Sequence, residues 1–141
     1  MTRISFYVLK GQLEHERQVF ACRLAEKAYK LGKHVYIHTE NAQQSETMNQ
    51  TLWSFRADSF VPHQLNDGQD ADDCPVLIGH DVKPPRLMDL LINLDATQPL
   101  FFSQFERMAE LINDDEDIKL AGRERFQFYR QRGYDLETFR I

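Results

Sequence analysis

Ile4-Ser-Phe-Tyr-Val-Leu9 carries β-branched and aromatic side chains at successive positions, so both of its faces are apolar, as in the central strand of a parallel sheet. A parallel partner needs a crossover between the two strands, and the following residues supply one. Val19, Cys22, Ala25, Ala28, Tyr29 and Leu31 recur mostly every three or four residues and predict a helix over 15–31. Lys30-Leu31-Gly32-Lys33 is a helix stop, with a glycine free to take the left-handed conformation. His34-Val-Tyr-Ile-His38 then reads as a second strand, and Thr39 to Asn41 offers a cap for a helix over 42–53. Strand, helix, strand, helix is the cadence of an α/β domain with right-handed crossovers.

Outward from this core the pattern continues. Ser59-Phe-Val61 is a short strand candidate stopped at Pro62, Pro75-Val-Leu-Ile-Gly79 a buried-looking one, and 87–94 a further one after a proline-bearing turn at 81–86. Phe101, Phe105, Met108, Ala109 and Ile112 keep helical spacing and predict a helix against the sheet. Asn113-Asp-Asp-Glu-Asp117 interrupts it, and the last helix begins near there and closes at Gly133. Its acidic first turn and Arg130 and Arg132 in its last turns suit the helix dipole. The expectation is one three-layer domain over 1–141 with five strands in a mostly parallel central sheet, and an acidic surface loop at about 64–74.

With 141 residues, 42% of them hydrophobic and 28% charged, the chain is long enough for one core and too short for two full domains. Cys22 and Cys74 stand far apart and form neither a disulfide framework nor a CxxC pair; Cys22 is expected in the core. No secretory leader and no apolar run of membrane-spanning length occurs, which points to the cytoplasm and away from a membrane. The net charge of -5 is unevenly placed: 119–141 hold six Lys/Arg against three Asp/Glu, so the chain is acidic with a cationic end. Wide binding to nucleic-acid phosphates calls for a large basic field, whereas a small basic patch suits a small acidic partner.

No residue is assigned a catalytic, cofactor-binding or metal-binding role. The first strand–helix turn, Lys10-Gly-Gln-Leu-Glu14, has one glycine and a carboxylate instead of a phosphate-cradling glycine pattern. His34 and His38 bracket a strand without a third ligand nearby. Neither cysteine nor any of Ser5, Ser45, Ser54, Ser59 and Ser103 sits in an activation motif. Asp70, Asp72, Asp73 and the acids at 114–117 lack the ligand order of a calcium loop.

Two places have the character of contact surfaces. In Leu52-Trp53-Ser-Phe55 and Ser59-Phe60-Val-Pro-His63, large aromatics gather beside a helix end and a short edge strand, either as ordinary core or as anchors for a partner. In Arg123-Glu-Arg-Phe126-Gln-Phe-Tyr-Arg130, positions 123, 126 and 130 fall on one helical side and mix cations with an aromatic. A guanidinium there could fork to a terminal carboxylate while the aromatic wall buries a hydrophobic last residue.

At these residues the chain resembles the chi subunit family of bacterial DNA polymerase III over nearly its whole length. The matching pieces, in order, are Phe6-Tyr-Val-Leu9, Gly32-Lys33 before a strand, Leu52-Trp53 with Ser59-Phe-Val-Pro-His63, Asp89-Leu-Leu-Ile-Asn-Leu94, Arg123-Glu-Arg-Phe126 with Tyr129-Arg130, and Gly133-Tyr134. The resemblance implies a Rossmann-like, noncatalytic clamp-loader accessory subunit without cofactor, active in DNA replication. It implies a heterodimer with the psi subunit, with Trp53 and Phe60 on the psi side. It also implies binding of the acidic C-terminal tail of single-stranded DNA-binding protein at Ile112, Arg123, Phe126 and Gln127, with nucleic acid contacted only indirectly. Phe126 and Gln127 stand where the family's tail site has tyrosine and lysine, so two expectations stand side by side: Arg125 or Arg130 replaces the missing charge, or the tail binds less tightly here. The alternatives are a small nucleotide- or phosphate-using Rossmann-like enzyme, suggested by the alternating elements, and direct single-strand binding through Arg123, Arg125, Arg130 and Arg132.

Overall fold

The apolar runs become strands where both of their faces can be covered. In the computed structural model, which describes residues 1–66, 74–80 and 82–141, β1 (Arg3–Val8), β2 (Val35–His38), β3 (His63–Leu65), β4 (Val76–Gly79), β5 (Leu90–Asn93), β6 (Arg107–Ile112) and β7 (Leu136–Arg140) form one sheet. Its order is β3-β4-β2-β5-β6-β1-β7, and every pairing is parallel. Helices α1 (Glu14–Lys30) and α2 (Ala42–Ser54) cover one face, and α3 (Glu116–Gln131) covers the other. The result is a Rossmann-like three-layer arrangement.

Alternation along each strand divides the core in two. Val35 and Ile37 of β2, Val76 and Ile78 of β4, and Ala109 and Leu111 of β6 meet Cys22 and Ala25 of α1 and Met48 and Leu52 of α2. Ile4, Phe6, Tyr36, Leu77, Met108 and Ile112 meet Tyr129 of α3, together with Phe102 and Phe105 from a short 3-10 turn (Phe102–Gln104) and its end. Burial pushes the Cys22 thiol up to about 12, as expected of a core cysteine. No helix among the described residues is long and apolar enough to cross a membrane.

Helix ends follow local chemistry. Asn41 caps α2 by accepting from the Gln44 N–H at 2.8 Å, and Asp115 caps α3 by accepting from Ile118 N–H at 3.2 Å. α1 closes on Gly32 at φ 77°, with Lys33 N–H reaching back to the Ala28 carbonyl at 3.0 Å; α3 closes on Gly133 at φ 79° in the same way, through Tyr134 and Tyr129.

Three expectations fail. The helix predicted across Phe101 to Ile112 is a single 3-10 turn followed by β6, which lies between β5 and β1. A strand buried on both faces has no period of two, so the chance spacing of Phe105, Met108, Ala109 and Ile112 was the only periodic signal there. The strand expected at 59–61 lies beyond Pro62 instead, at His63–Leu65, because proline has no N–H to give a ladder. Gln64 and Leu65 therefore belong to the sheet and Asn66 is buried, while the rest of the expected acidic loop, 67–73, and Asp81 of the proline-bearing turn lie outside the described residues. Beyond Gly133, where no element was expected, β7 adds an edge strand beside β1.

Candidate functional site

The first strand–helix turn opens towards a crevice at the carboxyl ends of the central strands, the usual ligand position of such sheets. Here two buried arginines occupy it. Arg17 donates to the Leu111 carbonyl at 3.0 Å and the Leu94 carbonyl at 3.1 Å and pairs with Glu14 at 2.9 Å. Arg125 donates to the Ala96 carbonyl at 2.6 Å. Glu40, Asp95 and Asp117 also line this space, making it acidic around the committed cations.

Arg125 further anchors a polar cluster inside the apolar layer under α3. Its Nε lies 3.0 Å from Glu110, whose carboxylate also accepts from the Tyr129 hydroxyl at 2.6 Å and from Asn93 at 3.1 Å. Asn93 in turn faces His38 Nδ1 at 3.1 Å. Glu110 is 0% and Arg125 4% exposed. Burial, reinforced by the adjacent Glu110 carboxylate, drives the Tyr129 hydroxyl far above the usual tyrosine range, so it stays a donor. Of the two residues named for a compensating charge, Arg125 is thereby ruled out: on α3 it faces the sheet, where it neutralises a buried carboxylate. His34 sits apart from His38, 3.7 Å from Asp89.

The surface of α3 builds something different. Lys119, Gly122, Arg123 and Phe126 repeat at three and four residues and so form one stripe, which faces a groove of about 430 Å3. Phe6 and Val8 of β1 and Thr138 and Arg140 of β7, each pair two residues apart on its strand, contribute to the same groove, and Ile112, Asn113 and Asp114 close its end. Phe126 meets Phe6 edge-on at 5.2 Å between centroids. Gly122 lets α3 close on Ile112: a Cβ there would lie 2.5 Å from Ile112 Cδ1, so the isoleucine side chain would have to shift. The lining combines three cations, Lys119, Arg123 and Arg140, with one carboxylate, Asp114, which already accepts from the Gly11 N–H at 3.3 Å.

Ile112, Arg123 and Phe126, grouped by the family resemblance, thus line one groove; only Arg123 and Phe126 were joined by spacing along a helix. Gln127 and Arg130 are exposed on α3 and outside the groove lining. Arg132 stacks 3.6 Å above the Phe128 ring. Lys119 and Arg140 were missed. Extending the 123–126 stripe one turn backwards would have found Lys119, whereas Arg140 depends on a strand the sequence did not announce.

At the opposite edge of the sheet, Trp53 is 54% and Phe60 65% exposed, their rings 5.8 Å apart. His63 lies 4.6 Å from Trp53 and spans from the Val61 carbonyl to the Asn49 carbonyl of α2. The segment between is pinned: Ser59 donates to Glu26 of α1, Arg56 pairs with Glu26 at 2.8 Å, and Val61 is buried. Phe60, between two inward-tethered residues, is turned out beside Trp53.

Comparison with known proteins extends this description to the whole chain. Residues 1–137 match the family model of the DNA polymerase III chi subunit, HolC. DNA polymerase III subunit chi of Pseudomonas aeruginosa is 42% identical over 141 residues, covering 100% of this chain and 98% of the relative. The subunit chi of Haemophilus influenzae is 31% identical, covering 94% and 93%, and that of Escherichia coli 28% identical, covering 98% and 97%. Among solved structures, T4 UvsW superposes with a TM-score of 0.71 at 8% identity; the match covers 99% of this chain and 42% of UvsW, a likeness of fold alone.

Proposed function

This chain belongs to the DNA polymerase III chi subunit family, and we propose from that premise that it is a noncatalytic bridge in the clamp loader. It binds the psi subunit through the Trp53–Phe60 edge and the acidic C-terminal tail of single-stranded DNA-binding protein in the groove of α3. The observation that carries the reading is the groove itself: Ile112, Arg123 and Phe126 share one lining with Lys119 and Arg140. An apolar floor under three cations suits an acidic peptide that ends in a hydrophobic side chain and a free carboxylate. The exposed Trp53–Phe60 pair has the character of an interface anchor, an aromatic cluster held by the fold and left without cover.

The two surfaces lie at opposite edges of a seven-stranded sheet, six inter-strand steps apart, or roughly 29 Å at ~4.8 Å per step. Both partners therefore have room to bind at once. Calorimetry with a short acidic peptide ending in Pro-Phe, and separately with psi, tests the assignment. Arg123→Ala should weaken the peptide about tenfold or more while leaving psi binding intact. Trp53→Ala should weaken psi about thirtyfold while leaving the peptide intact. Peptide affinity that ignores Arg123, or psi affinity that ignores Trp53, removes the corresponding half of the reading.

A further inference from the structure

One residue of the groove lining carries a buried side-chain donor with no partner in the free chain. Asn113 follows β6 directly, lines the groove and is 2% exposed. Its Oδ1 accepts from the Asp115 N–H at 3.0 Å, which fixes the amide: the opposite orientation would set two donors against each other. Nδ2 is thereby committed as a donor, and among the described residues it is the one buried side-chain polar atom without a partner. Buried donors are almost always satisfied, because leaving one unpaired forfeits its hydration for nothing.

We propose that Asn113 is a second polar anchor of the groove, its Nδ2 donating to a carboxylate or carbonyl oxygen of the bound peptide's terminal residue. The proposal rests on the acidic-tail reading of the groove and adds to it a recognition residue that is neutral. The surrounding cations, Lys119, Arg123 and Arg140, raise the local concentration of an anionic peptide but impose little direction from long, mobile side chains. A short amide held at Oδ1 by the start of α3 is a directional donor, and it rewards an oxygen placed at one spot on the wall. In the free chain Nδ2 is covered, so the hydrogen bond forms once the side chains over it shift, an adjustment of the kind common at interfaces, while Oδ1 keeps the Asp115 N–H.

Binding of a short acidic peptide ending in Pro-Phe, measured by calorimetry on the full chain and on Asn113→Leu, Asn113→Asp and Arg123→Ala, tests this. Asn113→Asp keeps the acceptor for the Asp115 N–H and so preserves the turn while removing the donor. Asn113→Leu removes both without adding charge. The expected result is a loss of about tenfold in Asn113→Leu and a larger one in Asn113→Asp, with thermal unfolding showing both folded. Peptide binding that survives in Asn113→Leu within about twofold overturns the proposal, whether or not the added charge of Asn113→Asp weakens it. In that case loss in Arg123→Ala shows that the acidic-tail reading stands without Asn113. No binding to the wild-type chain overturns the acidic-tail reading itself, and the proposal with it.

Discussion

The two ends of the sheet present opposite kinds of surface, built in opposite ways. The aromatic edge comes from one short stretch: Trp53, Phe60 and His63 lie within a helix end, a pinned loop and the strand that follows. The cationic groove draws on β1, the end of β6, α3 and β7, so residues from 6 to 140 must meet before it exists. A surface made locally survives small errors in the frame around it. A surface assembled from four elements inherits every displacement of any one of them, and the buried Glu110–Arg125–Tyr129 cluster holds the helix that carries most of the cations.

The sharpest way to break this contrast is Arg125→Met. It touches neither surface but leaves the Glu110 carboxylate buried without its cation, and should lower the unfolding free energy by about 3–5 kcal/mol in urea titrations. Under conditions where the variant remains folded, peptide binding should weaken while psi binding holds. A loss below about 1 kcal/mol would mean that the cluster does not frame α3.

A smaller effect is expected of Gly122→Ala. The new Cβ must displace Ile112, and over-packing of this kind costs about 1–3 kcal/mol, partly offset by the better helix propensity of alanine. Because Ile112 lines the groove, peptide affinity should fall together with stability; stability lost with affinity unchanged would remove Ile112 from the contact. The smallest effect is expected of Gln127→Lys, which adds a charge beside the groove rather than in it. Stopped-flow association at low salt should quicken by about two- to threefold, with the gain fading as salt is raised. A gain above tenfold would place position 127 inside the bound surface.

Much of this was legible in the chain. The strands at β1, β2, β4 and β5, the three helices and the two glycine stops follow from runs, periods and capping residues, all of which are local. β6 was misread because a strand covered on both sides loses its alternation, and β7 because an exposed edge strand, Leu-Glu-Thr-Phe-Arg, is too polar to stand out. Arg125 shows the same limit at the level of one residue. In sequence it is one more cation in an arginine-rich helix, equivalent to Arg123 two positions earlier, yet two residues on a helix point in widely different directions.

The sequence by itself determined the alternating α/β architecture, the acidic body with its cationic end, the likeness to the chi family, and the Arg123–Phe126 stripe, because each is carried by residue type along the chain; Ile112 joined that stripe only through the family likeness. Only the tertiary structure decided that Arg125 is spent on Glu110 while Lys119 and Arg140 line the groove beside Arg123, and that the Asn113 amide is left with an unpaired donor. It alone set the aromatic and cationic surfaces at opposite edges. Those outcomes depend on which buried charge finds which partner across more than a dozen residues of chain, and on the strand order that brings them together, neither of which local spacing encodes.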